Sequence, residues 1–281
     1  MPKRLIYTCL ITTAILYSCQ SGSTEEATTA PEAMQQAEVQ PLSFRSQTVS
    51  RRSSYCGQSP EACAEATITY LEAFGGSEEL RQRINKFLEQ NIMRLLLDYN
   101  PDADTSAVGK KAAVTVAEAF VKAQEDFVRE MDEIPASAAW ELQLEVQPLF
   151  QSDSVTTILS SYYAYAGGAH PNSYISLQSF EMEGKKLRPA DIVTDTLQLK
   201  QMVEQEFRRV REIPTGQHLS EAGLFLEDNQ LPLPQEMGLT AQGLSLYYNA
   251  YEIGPYAFGA TDLLLPYPQL HGLLRSKYRP R

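Results

Sequence analysis

Tyr162-Tyr163-Ala164-Tyr165-Ala166-Gly167-Gly168-Ala169-His170-Pro171-Asn172 is the stretch that organises this 281-residue chain. Residues 155–165 are rich in β-branched, apolar and aromatic side chains and read as a strand. The paired glycines stop it. Residues 174–182 return as a second strand, and Glu183-Gly184 turns tightly into Lys185-Lys186-Leu187. Gly167-Gly168 has two readings. One is a loop that needs positive φ or close backbone packing, the other a backbone surface that accepts a ligand. His170 likewise is a hydrogen-bonding loop determinant or a functional group. The structural reading is preferred for both.

Outward from this hairpin, residues 44–50 and 64–73 read as strands. Gly75-Gly76 breaks the second, and Ser77 then caps a helix with Glu78 and Glu79 in its first turn. Leu80, Ile84, Phe87, Leu88, Ile92 and Leu95 follow at helical spacing until Asn100-Pro101. A second helix is predicted over 111–133, with Val128 and Met131 on its apolar face. Residues 140–146 alternate as a half-buried strand. A third helix spans 197–211, with Leu199, Met202, Val203, Phe207 and Val210 inward. Residues 214–223 form a loop, 244–250 and 263–265 are strands, and 268–277 is expected to close the chain as a helix. Strands in neighbouring pairs between helices predict an α+β fold of two α/β subdomains, with antiparallel sheets packed on helices.

The N-terminus reads as an export signal. Lys3 and Arg4 precede an apolar run over 5–17, too short to span a bilayer comfortably. Leu16-Tyr17-Ser18-Cys19 resembles a bacterial lipobox, although Tyr17 is bulkier than usual there. The expectation is a lipoprotein signal peptide at 1–18 and lipid on Cys19. The alternative is an ordinary cleaved signal and a secreted protein. Residues 19–43 form a tether rich in Ser, Thr, Ala, Glu and Gln. The formal charge is −11, and loss of Lys3 and Arg4 makes it two units more negative. Such a chain disfavours nucleic acid and anionic lipid through nonspecific charge; it suits a cationic partner, although acidity that simply keeps an exported protein soluble is the preferred reading. Cys56 and Cys63 remain as disulfide candidates in an oxidising compartment. A loop so short would stabilise by about 2–3 kcal/mol in the chain-entropy model.

Signals for catalysis are weak. His170, His218 and His271 are far apart, and there is no H-E-x-x-H, G-x-S-x-G, P-loop or G-x-G-x-x-G. No metal or cofactor is expected. Tyr162, Tyr163, Tyr165, Tyr247, Tyr248, Tyr251 and Tyr256 form two clusters. Sheet packing accounts for most, and any exposed ones are good contact material for a glycan or a protein.

Two blocks carry a family resemblance. The first is the opening stretch with Phe180, Gly184 and Leu187-Arg188-Pro189-Ala190-Asp191-Ile192. The second is Leu244-Ser245-Leu246-Tyr247-Tyr248-Asn249-Ala250-Tyr251-Glu252-Ile253-Gly254-Pro255-Tyr256-Ala257-Phe258-Gly259, followed by Leu265-Pro266-Tyr267. Together they resemble the extracytoplasmic domain shared by RsiV-type anti-sigma factors and the N-terminal region of PdaC-type peptidoglycan deacetylases. That domain is expected at 153–281, with a smaller companion domain at 44–152. The resemblance implies an envelope binding or sensing module. In the anti-sigma members it senses lysozyme. Neither a cytoplasmic anti-sigma segment nor a deacetylase domain is seen, so transmembrane signalling and deacetylation are not carried over.

The expectation is therefore a module held at the membrane by its N-terminal lipid, with a cationic lysozyme-like protein or peptidoglycan as ligand. Candidate contact residues are Tyr162, Tyr163, Tyr165, Gly167, Gly168, His170, Asn172, Tyr251, Glu252 and Tyr256. The alternatives are a cell-wall hydrolase using His170 and a structural subunit of an envelope complex. The two tyrosine-rich blocks are expected to meet in space.

Overall fold

Ala64, Ala66 and Ile68 alternate with Glu65 and Thr67, and the small apolar set is fully buried against helices. This alternation seeds a mixed sheet of eight strands in the order of the chain. In the computed structural model, residues 40–103 and 111–279 are described. The expected signal peptide, Cys19 and the expected tether up to residue 39 lie outside the described residues. The strands are β1 (Ser43–Arg52), β2 (Ala64–Phe74), β3 (Trp140–Gln151), β4 (Val155–Tyr165), β5 (Asn172–Glu181), β6 (Glu236–Leu239), β7 (Gly243–Tyr248) and β8 (Thr261–Pro266). Neighbours pair antiparallel except β2 with β3 and β5 with β6. Parallel pairing requires a long crossover. Helices α1 (Glu78–Tyr99) and α2 (Ala112–Arg129) supply the first.

Both helices lie on one face of β1–β5. Ser77 accepts from the Leu80 amide at 3.2 Å and caps α1. Gly75 precedes it at φ +66, and a Cβ there would sit 2.3 Å from the Pro41 carbonyl oxygen. Leu80, Ile84, Leu88 and Ile92 then bury one stripe of α1. Phe120 of α2 is fully buried, edge-on to Tyr99 with centroids 5.0 Å apart. Truncating so enclosed a ring to alanine costs about 3–5 kcal/mol. α2 stops at Arg129, short of the expected end, and Met131 is exposed rather than inward.

A second core lies under β6–β8. It joins α3 (Pro189–Ile192), α4 (Thr196–Val210) and α5 (Tyr267–Leu270). Leu199, Val203 and Phe207 of α4 are buried, whereas Val210 is partly exposed. The closing helix expected over 268–277 is only α5, a turn and a 3-10 segment, Ser276–Tyr278. Two prolines, Pro266 and Pro268, start this helix, while Gly272 weakens its continuation.

β6, which the periodicity did not reveal, touches β5 through a single bridge, Gln178 to Met237. Side chains do the rest. Thr157 Oγ1 donates to the Leu239 carbonyl at 2.6 Å, and Ser179 Oγ accepts from the Leu239 amide at 2.9 Å. Glu236 accepts from the Leu177 amide at 2.7 Å. Asn249 bonds both the amide and the carbonyl of Ile175, at 2.8 and 2.9 Å. An edge that would otherwise invite another strand is closed by side chains.

Candidate functional site

At one end of the β4–β5 hairpin, residues 166–171 meet residues 249–258. Gly167 sits at φ +80, and a Cβ there would lie 2.9 Å from both the Ser137 carbonyl oxygen and Trp140 Nε1. Two requirements therefore select glycine at 167, since the conformation is left-handed and the neighbours are backbone and a packed indole. The indole N–H itself donates to Ser137 O at 3.1 Å. Gly168 has no such need, because its added Cβ would meet only the His170 carbonyl, at 3.8 Å.

His170 stacks on Tyr256, with centroids 3.7 Å apart and planes 11° from parallel. Its Nδ1 lies 3.0 Å from the Pro171 carbonyl and its Nε2 3.1 Å from the Tyr251 hydroxyl. A carbonyl can only accept, so the proton belongs on Nδ1 and Nε2 accepts from the tyrosine. Tyr256 also donates to Pro171 O, at 3.2 Å. Tyr251 completes the cluster 5.6 Å from the Tyr256 ring. Its backbone is left-handed, φ +68, and the residue is 60% exposed.

Beneath this tip, carboxylates fix backbone. Glu252 accepts from the amides of Gln235 and Asn249, both at 2.9 Å. Burial pushes its pKa up despite those bonds, and nearby Glu236 adds to the rise. Tyr174 donates to Glu236 at 2.5 Å. Burial chiefly, then that carboxylate, raises the Tyr174 pKa well above the usual phenol range. Gln124 of α2 is fully buried and donates from Nε2 to the carbonyls of Ala62 and Ala138, at 2.5 and 2.9 Å. It ties together the loops behind Gly167. Cys56 and Cys63, joined in a disulfide, close the loop that contains Ala62.

Gly167, His170, Tyr251 and Tyr256 thus converge, with Glu252 as the clamp of their loop. Tyr162 points the other way, and its hydroxyl lies 2.6 Å from that of Tyr99 against α1. Tyr163 and Tyr165 lie on the opposite face of β4 from Tyr162, paired across the ladder with Gln143 and Glu141. Asn172 is exposed at the start of β5, opposite Ala164. Asn249, Glu236 and Tyr174 support the site but were not among the sequence candidates. Asn249 lay within the second tyrosine-rich block, whereas Glu236 sits on a four-residue strand with no periodic signal. Among the described residues, neither ring nitrogen of His170 has a carboxylate or serine partner. Nor, among the described residues, do three His, Cys, Asp or Glu side chains gather as a metal site. No helix among the described residues is long and apolar enough to cross a membrane.

Residues 58–173 match the family described as deacetylase PdaC, and residues 190–268 match a protein family of unknown function, DUF3298. This is the domain combination the sequence resembles. No curated protein matches. Among solved structures, a DUF3298 family member from Bacteroides fragilis NCTC 9343 is similar with a TM-score of 0.63 at 19% identity, over 86% of this chain and 96% of that one. A DUF3298 family protein from Pseudomonas aeruginosa PAO1 is similar with a TM-score of 0.57 at 18% identity, over 86% and 99%. At these identities the likeness is one of fold. The two domain families indicate an extracytoplasmic protein of the cell envelope.

Proposed function

We propose that this chain is a non-catalytic recognition module, anchored through lipid on Cys19, and that its contact surface is the His170–Tyr251–Tyr256 tip. Tyr251 carries the proposal. A non-glycine residue in the left-handed region costs about 1 kcal/mol. The ring is 60% exposed, so burial offsets little of that cost. Glycine would sit there without strain. A strained, exposed tyrosine is best accounted for by contact with something outside the fold.

The surroundings favour a cationic protein as that partner. Glu130, Asp132 and Glu133 follow α2 and lead into the segment on which Gly167 packs. Exposed Met131 and Ile134 lie among them. Aromatic and apolar contact flanked by carboxylates suits a basic protein surface. Lysozyme is the natural probe, given the family resemblance, and purified peptidoglycan tests the glycan reading beside it. The full protein is expected to retain lysozyme at low salt and release it at high salt. Tyr251→Gly should weaken retention by on the order of tenfold or more. Retention of neither probe, or equal retention by the variant, would remove the tip as a binding surface.

A further inference from the structure

The described chain enters the fold at the end of the sheet opposite the tip. The Gly76 amide donates to Gln40 O at 2.7 Å, and Gln151 Nε2 donates to Leu42 O at 3.2 Å. Ser77 Oγ donates to Met182 O at 3.3 Å, which places this entry beside the Glu183-Gly184 turn. The ten residues of β5 separate that turn from the tip, about 30 Å at strand rise.

Around the entry bases gather in a way the chain as a whole does not, although Glu78 and Asp153 lie at the same end. Arg83 crowds Gly184, where an added Cβ would meet its side chain at 2.8 Å. Lys277 reaches Glu183 at 3.4 Å and Glu181 at 3.5 Å. Lys185 and Arg188 both engage Asp191, at 2.6 and 3.2 Å. Glu79, Glu181, Glu183 and Asp191 are thereby each occupied by a base from within the cluster. Two further cations, Lys186 and Arg275, form no ion pair with a carboxylate among the described residues. Arg275 donates to Ala190 O at 3.0 Å, and exposed Lys186 lies 5.2 Å over the Phe87 ring. Arg188 is bound to Asp191 yet remains 74% exposed at its side chain.

We infer that this basic end is a foot that rests on anionic lipid headgroups and holds the tip outward. Two independent observations meet here: the place where the polypeptide leaves for its N-terminus, and a group of exposed cations, Lys185, Lys186, Arg188, Arg275 and Lys277, on an otherwise acidic chain. Each exposed cation near an anionic bilayer gains on the order of 1 kcal/mol. A tether to the same membrane raises the local concentration enough for so weak a contact to orient the fold. The anchor, and with it the gain from tethering, rests on the function proposed above; the basic surface itself does not.

The test uses the full protein with neutral phosphatidylcholine vesicles and with vesicles containing phosphatidylglycerol. The single tryptophan, Trp140, lies beside the tip, and a Ser276→Trp variant adds a second indole at the foot. Energy transfer to dansyl-labelled headgroups on anionic vesicles should be weak from Trp140 and strong for the variant. Anionic lipid should raise association on the order of tenfold over neutral lipid, and salt should reverse the gain. Combined Lys186→Gln, Arg275→Gln and Lys277→Gln should remove the same gain. The salt titration of the unaltered protein supplies that result if the triple variant fails to fold. Salt-sensitive binding to anionic vesicles alone supports the foot and overturns the anchor. Association indifferent to lipid charge and salt overturns the foot while the anchor stands. Stronger transfer from Trp140 than from the added indole overturns the orientation.

Discussion

The two ends of the β4–β5 hairpin are built by different physics. The tip is held by ring stacking, by glycine at 167 and by side chains bonded to buried backbone. The other end is held by ion pairs in which exposed Lys185, Arg188 and Lys277 meet the less exposed carboxylates of Asp191 and Glu181 and the exposed one of Glu183. Pairs with an exposed cation are open to screening by salt, whereas enclosed backbone left without a partner is costly. The tip should therefore be stiff and indifferent to salt. The foot should be adaptable and responsive to its ionic surroundings.

The most severe way to break this contrast is Asn249→Ala. It strands the amide and carbonyl of Ile175 and should cost about 3 kcal/mol, read as a drop in the urea midpoint. A loss as small as that of a surface substitution would show that water replaces the amide and that the tip is not stiff. Gly167→Ala comes next, at about 2 kcal/mol from left-handed backbone and contact with Trp140 together. Trp140 fluorescence should change with it.

At the foot, Asp191→Ala should cost about 1 kcal/mol, because the carboxylate caps the Arg188 amide at 3.0 Å. Lys185 chiefly, with Arg188, holds the Asp191 pKa down to about 2 from 3.8. A depressed carboxylate contributes stability above its unfolded value, and that contribution disappears as pH falls from 3.8 toward about 2. The variant should lack this segment of the acid-stability curve. An unchanged curve would show that the foot pairs are spectators. The smallest effect is expected from Tyr251→Gly. Relief of the left-handed strain offsets the lost bond to His170, leaving stability within about 1 kcal/mol of the parent. A larger loss by thermal melting would mean that Tyr251 serves the fold after all.

Much of this was legible beforehand. Strand β4 is bounded by the side-chain pattern and the glycines that follow, and Ser77 announces α1 by its own chemistry. The meeting of the two tyrosine-rich blocks was also readable. Individual roles were harder. Alternation separates Tyr162 from Tyr163 and Tyr165 but does not say which face the helices cover. β6 has four residues, too few for a period to show. The apolar spacing carries α2 too far because Met131 fits it, although the chain has already turned away at Glu130. The left-handed backbone of Tyr251 leaves no mark on the sequence, since tyrosine is not a residue that favours it.

The junction between β5 and β6 has a consequence for how such a molecule changes over generations. Hydrogen bonds between backbones are blind to side-chain identity, so strands joined by a ladder drift freely in sequence. Here the halves recognise each other through Thr157, Ser179, Glu236 and Asn249. Compatibility is thus written in a handful of letters. Either half can diverge widely, or be exchanged for a counterpart, provided those letters still match.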